Sequence, residues 1–309
     1  MREFAFDSQH DGLRIACANC EAENPRAALV IVHGMSEHKE RYYPFMEYLS
    51  QNGIASVIED HRGHGASAQA PEELGYFGEN GADGLISDIN TLAGIAAEKY
   101  RGLPLFMLGH SMGALAARTF IQAHGEMLSG LIISGNPGYN AAASKGIKLC
   151  RAAQRRRGKH ARCRLMTLGM FVPFVLRSRR FYSMNGWVCS DRETVRSYDA
   201  DPLCGFEFQA NGYEALLTLM LRAYDPHASA PNKALPVKFF SGADDACMGG
   251  RKGIENAAQL LRNAGYSDVS IKLYEKMGHE ILNEKARQTV YADMLETLCG
   301  WMQDMPDKG

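Results

Sequence analysis

Leu105-Phe106-Met107-Leu108-Gly109-His110-Ser111-Met112-Gly113-Ala114-Leu115-Ala116-Ala117 is the stretch that decides the fold of this 309-residue chain. Its four leading apolar residues read as a buried strand, and the alanine-rich run from Met112 to His124 reads as a helix. Between them Gly109-His110-Ser111-Met112-Gly113 matches G-x-S-x-G, a weak pattern alone that gains meaning when a strand enters it and a helix leaves. In that setting the serine occupies a tight, strained turn and its hydroxyl projects over the C-terminal edge of a sheet. A Cβ at Gly109 or Gly113 is expected to clash with the neighbouring strand and helix. The helix N-terminus behind Ser111 favours negative charge developing beside it.

Outward from this turn the chain alternates strand-like and helix-like segments, which predicts an α/β fold with a mostly parallel central sheet flanked by helices. Toward the N-terminus, Arg2–Asp7 and Leu13–Ala18 read as a hairpin, Ala27–Val32 and Ile54–Ile58 as strands, and Tyr42–Gln51 and Ala82–Tyr100 as helices. Leu131–Ser134 is the next strand. From Gly135 to Pro226 the sequence gives helical pieces without a buried strand. The alternation resumes with Val237–Ser241 and Val269–Tyr274 as strands and with Gly250–Ala264 and Ile281–Met302 as helices. We therefore expect one α/β core over residues 1–137 and 228–309, interrupted by a helical cap at 138–227.

A serine hydroxyl becomes a useful nucleophile when a base takes its proton and an acid orients that base. On a fold of this kind the acid and the histidine follow the serine in sequence, each at the end of a later strand. Gly242-Ala243-Asp244-Asp245 follows one strand and Gly278-His279 follows the next. Ser111, Asp245 and His279 are the expected triad, with Asp244 as the competing acid, and His279 is the only histidine after His227. Two backbone donors are also needed for the tetrahedral oxyanion. They map to the N–H groups of Met112 and of Met35, the latter in the loop His33–His38.

The charge balance, 34 Lys and Arg against 35 Asp and Glu, taken as a total argues against charged partners. Residues 141–180, however, hold 12 basic residues and no acidic one, leaving 22 basic against 35 acidic elsewhere. This asymmetry makes an anionic membrane surface or an anionic substrate a candidate partner of the cap, against the plain alternative of a solvated helix face. Nucleic acid is not expected, because no recognition motif accompanies the run. The apolar residues of the same segment, Leu165, Met166, Leu168, Met170, Phe171, Phe174, Val175 and Leu176, read most simply as cap-to-core packing. Met166, Met170, Phe171 and Phe174 are alternatively lining residues of an acyl-chain pocket. The stretch is too short and too interrupted for a membrane span of ~20 residues. The N-terminus lacks the apolar run of a signal peptide, and eight cysteines are too few for a disulfide scaffold, so a cytoplasmic protein with reduced thiols is expected. Cys17-Ala-Asn-Cys20 lacks a second pair for zinc, and His33, His38, His61 and His64 read as loop-shaping residues rather than metal ligands.

Taken together, His33-Gly-Met-Ser-Glu-His38, Asp60-His-Arg-Gly-His-Gly65, Gly109-His-Ser-Met-Gly113, Gly242-Ala-Asp-Asp245 and Gly278-His-Glu-Ile-Leu-Asn-Glu284 resemble the monoacylglycerol lipase and bacterial lysophospholipase group of α/β hydrolases, also described as serine aminopeptidase-like. The blocks span about residues 30 to 285. The resemblance implies an acyl-ester hydrolase of the α/β-hydrolase fold with a helical cap, acting on a small acyl ester or lipid and requiring no cofactor. Ala246 departs from the proline common in bacterial relatives, which bears on the choice between Asp244 and Asp245. An amidase or aminopeptidase, a thioesterase, and a binding protein on the same fold without catalysis stand as alternatives.

Overall fold

The computed structural model describes residues 1–305 and contains one eight-stranded sheet. The strands are β1 (Arg2–Asp7), β2 (Arg14–Cys20), β3 (Ala27–Val32), β4 (Ile54–Glu59), β5 (Leu105–His110), β6 (Gly130–Ser134), β7 (Val237–Gly242) and β8 (Val269–Tyr274), in the order β1-β2-β4-β3-β5-β6-β7-β8. The β1–β2 and β2–β4 pairs are antiparallel and the other five are parallel. β3, β4, β5 and β6 are buried along their whole length, which is why they read as unbroken apolar runs. Alternation sorts their side chains: Ala28, Val30 and Val32 point into one core, and Ala27, Leu29 and Ile31 into the other.

The first face is covered by α2 (Gly81–Lys99), α3 (Met112–His124) and α8 (Gly250–Ala264), the second by α1 (Tyr43–Gln51) and α9 (Arg287–Gln303). Cys17 belongs to one core and Cys20 to the other, so the two thiols of the CxxC face opposite sides of β2. Between β6 and β7 lie α4 (Ala143–Arg157), α5 (Arg164–Ser178), α6 (Arg192–Ala200) and α7 (Ala210–Ala223). α7 packs against α3 and α4 and joins the first core.

Two expectations are corrected. Ile281–Met302 is not one helix: a short 3-10 turn at Ile281–Asn283 is separated from α9 by an extended Glu284. The break follows from Glu284, whose carboxylate accepts hydrogen bonds from Gly278 N (2.6 Å), Ser190 N (2.8 Å) and Ser190 Oγ (2.5 Å). The apolar stretch of α5 packs inward only in part: Met166, Met170, Phe171, Phe174 and Val175 lie against buried clusters. None of its residues is fully buried, and Leu165, Leu168 and Leu176 are 69%, 55% and 61% exposed.

Candidate active site

The parallel strands deliver their loops to one sheet edge, the usual place for chemistry in such folds. Ser111 sits at the end of β5 with φ 54° and ψ −116°, a conformation that a non-glycine residue holds only when its surroundings enforce it. Its N–H donates to Ser134 O on the adjacent strand at 3.0 Å. The flanking glycines let the turn close: a Cβ on Gly113 would lie 2.0 Å from Val32 O, and one on Gly109 2.5 Å from Gly113 O. Ser111 Oγ lies 2.8 Å from His279 Nε2, and His279 Nδ1 lies 2.9 Å from Asp245 Oδ2. With the imidazole proton on Nδ1, the hydroxyl donates to Nε2 and the ring donates to the carboxylate.

Asp245 and His279 are 3% and 2% exposed, so the carboxylate is withdrawn from water except for its partners. Its Oδ1 accepts from Cys247 N at 2.7 Å, which fixes its rotation. Asp244 points away: its side chain is half exposed and pairs loosely with Arg180 at 4.0 Å. Burial alone would lower the pKa of His279, but the Asp245 carboxylate, helped by Glu280 and Glu37, outweighs it and raises the value above the ordinary 6.5. Neighbouring His110, its ring 4.9 Å from that of His279, is pushed down to about 3 by burial and by His279 itself, so it stays neutral.

Met35 and Met112 line the cavity beside Ser111, and among the described residues neither backbone N–H has a hydrogen-bond partner. The cavity has a volume of about 950 Å³ and apolar walls from both the sheet side and the inserted helices. Met170, Phe171 and Phe174 line it; Met166 does not. Met166 instead packs against Gly146 on α4, where a Cβ would meet its Cε at 2.7 Å. Leu216, Leu217 and Met220 of α7 supply wall that the sequence reading missed, because their helical spacing looks like ordinary core.

Three further features escaped that reading. Trp187 packs against Phe174 and His279 with ring centroids 4.9 and 5.0 Å away and the planes tilted by 47° and 44°, covering one side of the imidazole. Arg41 bonds Glu280 twice (2.7 and 2.6 Å) and Glu37 once (2.7 Å), placing a buried ion cluster behind His279. Burial would raise the pKa of Glu280, yet Arg41 holds it below the ordinary range. The signal was available in Glu37 three residues after Gly34, and in Glu280 directly after His279. The loop histidines are occupied as shaping groups. His33 accepts from His61 N at 2.9 Å, His64 accepts from Ser36 N at 3.1 Å, and His38 bonds Asp201 at 2.9 Å. Among the described residues His38, Asp201 and Cys204 come within 4.8 Å of one another as potential metal ligands, but His38 Nε2 already faces Asp201.

A hydroxyl bonded to an imidazole that is itself held by a carboxylate can lose its proton as it attacks an acyl carbon. The comparisons with known proteins agree with such chemistry. The chain is 26% identical to the monoacylglycerol lipase of Mycolicibacterium smegmatis over 271 residues, covering 88% of this chain and 87% of that one. It is 32% identical to a monoglyceride lipase homolog of Monkeypox virus over 263 residues, 84% of each. Among solved structures, a highly thermostable carboxyl esterase from Bacillus coagulans in complex with glycerol superposes with a TM-score of 0.89 at 25% identity, covering 97% of this chain and 98% of that one. A soluble variant of monoglyceride lipase from Saccharomyces cerevisiae, at 21% identity and a TM-score of 0.75 over 97% of this chain and 94% of that one, shares the fold. The sequence pattern of the serine aminopeptidase, S33 family matches residues 23–286, which takes in every loop that meets at Ser111, and the chain belongs to this family of α/β-fold serine hydrolases.

Proposed function

We propose that the protein hydrolyses carboxylic esters of acyl chains, with monoacylglycerol as the leading substrate and lysophospholipid the next. The observation that carries this reading is the Ser111–His279–Asp245 chain at 2.8 and 2.9 Å, opening into an apolar cavity of about 950 Å³. The names of the relatives above support the acyl-glycerol preference. Ser111 Oγ attacks the ester carbon while its proton passes to His279 Nε2. The tetrahedral oxyanion is met by the N–H groups of Met35 and Met112, and Asp245 stabilises the imidazolium. Collapse expels the alcohol, which takes the proton back from His279, and water then repeats the sequence on the acyl-enzyme. No cofactor is required. Residues 138–227 form the cap, with Met170, Phe171 and Phe174 as its contribution to acyl binding.

The test is a hydrolysis panel of monoacylglycerols, lysophospholipids, short p-nitrophenyl esters, thioesters and aminoacyl amides, run with Ser111→Ala alongside. Wild-type turnover of the esters and loss of roughly 10⁴-fold or more in the variant are expected. Full activity in Ser111→Ala would sink the mechanism, and preference for amides or thioesters would reassign the substrate.

A second element of the reading is peripheral contact with anionic membrane. It is supported by the exposed apolar side chains Leu165, Leu168, Val172, Leu176, Phe181 and Met184 set among exposed arginines. Of the 12 basic residues in 141–180, only Arg151, Arg162 and Arg180 have an acidic partner within 4.0 Å among the described residues. No helix among the described residues is long and apolar enough to cross a membrane. Eight free cysteines fit a reducing compartment such as the cytoplasm.

A further inference from the structure

Ser36 follows Met35 and, among the described residues, is one of five non-glycine residues with positive φ, at 53°. A residue in that region is held there by its contacts. Every polar group of Ser36 has a partner, and the partners come from two different parts of the molecule. From the core side, Ser36 N donates to His64 Nε2 at 3.1 Å. From the inserted segment, Tyr198 Oη and Gly205 N both donate to Ser36 O at 2.9 Å, and Ser36 Oγ donates to Phe206 O at 2.7 Å.

Each side of this arrangement is fixed by its own surroundings. His64 is fully buried, and its Nδ1 lies 3.0 Å from Arg62 O. That bond places the proton on Nδ1 and leaves Nε2 as the acceptor that Ser36 N needs. The ring is wedged edge-on among Phe77, Phe206 and Phe208 at 5.2 to 5.5 Å. Burial and the nearby His61 push its pKa down to about 3, so the acceptor persists through the working pH range. Tyr198, on α6, is buried with the Arg41 guanidinium 4.9 Å over its ring, which keeps the hydroxyl aimed at Ser36 O.

We infer that Ser36 is a positioning residue, clamped between His64 and the segment Tyr198–Phe206, that aims the Met35 N–H at the developing oxyanion and makes the donor depend on how the inserted helices are seated. The inference rests on the hydrolase reading above, with Met35 as a donor. The peptide joining Met35 to Ser36 carries the Ser36 N–H, so the bond to His64 sets the plane adjoining the donor. The bonds to Ser36 O fix the next plane. Loss of either restraint lets a strained residue relax toward negative φ and turns Met35 N–H away.

Tyr198→Phe removes one oxygen and keeps the ring; Ser36→Ala removes the bond to Phe206 and keeps the Cβ. For each variant kcat and KM on a soluble short-chain ester, affinity for a boronic-acid analogue of the tetrahedral intermediate, and thermal midpoint are measured. A displaced oxyanion donor is expected to lower kcat by roughly tenfold, short of the ~10²–10³ for outright loss of a donor. KM is expected to stay within about twofold, and analogue affinity to fall in step with kcat. An unchanged kcat in both variants overturns the inference, as does a lost kcat with unaltered analogue affinity. If Ser36→Ala does not fold, Tyr198→Phe decides alone. A wild-type protein that hydrolyses no member of the panel sinks the hydrolase reading itself. An active wild type with indifferent variants sinks only the clamp.

Discussion

At the scale of the residue, the geometry separates two adjacent aspartates that the sequence leaves in competition. Asp245 is buried against His279 and Asp244 is turned to solvent, so their asparagine variants should behave differently. Asp245→Asn is expected to lower kcat by roughly 10³- to 10⁴-fold, since the amide favours the wrong imidazole tautomer. Asp244→Asn should stay within about twofold of wild type, as steady-state rates on a soluble ester will check. The same carboxylate sets the pH profile. In the proposed mechanism His279 acts as a neutral base, and its pKa is raised above 6.5, so kcat/KM should fall as pH drops through a midpoint above 6.5. In Asp245→Asn the residual activity should show that limb displaced to lower pH, because the main influence raising the pKa has gone. A limb that does not move would mean that another group controls it. The meeting of Ser111, His279 and Asp245 was legible because each follows an apolar strand, where order along the chain maps onto place along the sheet edge. Ser36, Trp187 and Arg41 were not legible, since each is placed by a partner remote in sequence: His64 for Ser36, His279 for Trp187 and Glu280 for Arg41.

At the scale of the element, the β5–turn–α3 unit was readable to within two residues at the end of β5, and the Met112–His124 helix to the residue. Local propensity and tertiary demand agree there. The same agreement makes a sharp stability contrast. Gly113→Ala places a methyl 2.0 Å from the Val32 carbonyl and should destabilise by about 3 kcal/mol or more, or prevent soluble expression. Gly94→Ala, inside α2 with nothing within 4 Å of the new Cβ, should stabilise by about 0.5–1 kcal/mol. Thermal midpoints of the two variants give the comparison. Reading failed where one side chain overrules its own segment. Glu284 interrupts the C-terminal helix to satisfy Ser190 and Gly278, and nothing within Ile281–Met302 announces it. On α5 it held only in part: Met166, Met170, Phe171, Phe174 and Val175 pack against buried clusters, while Leu165, Leu168 and Leu176 point outward.

At the scale of the whole molecule, the near-neutral total hides a basic insertion seated on an acidic core. Arg155, Arg156 and Arg157, all exposed at the end of α4, are the economical place to test it. Their triple glutamine variant should lose turnover and sedimentation with phosphatidylglycerol vesicles while keeping wild-type rates on a soluble ester. The wild-type preference for such vesicles should weaken as salt rises and shortens the Debye length to below ~10 Å. Equal vesicle binding by variant and wild type would leave the basic run a solvated face. The lock at Ser36 carries a further consequence, for how such a protein diversifies. The loop after β3 and the segment Tyr198–Phe206 each hold half of one hydrogen-bonded joint, although 162 to 170 positions separate them. A recombinant chimaera that imports foreign inserted helices without residues 33–38 inherits an unmatched half. New acyl preferences are therefore reached more readily by changing the cavity walls on α5 and α7 than by exchanging the insertion as a cassette.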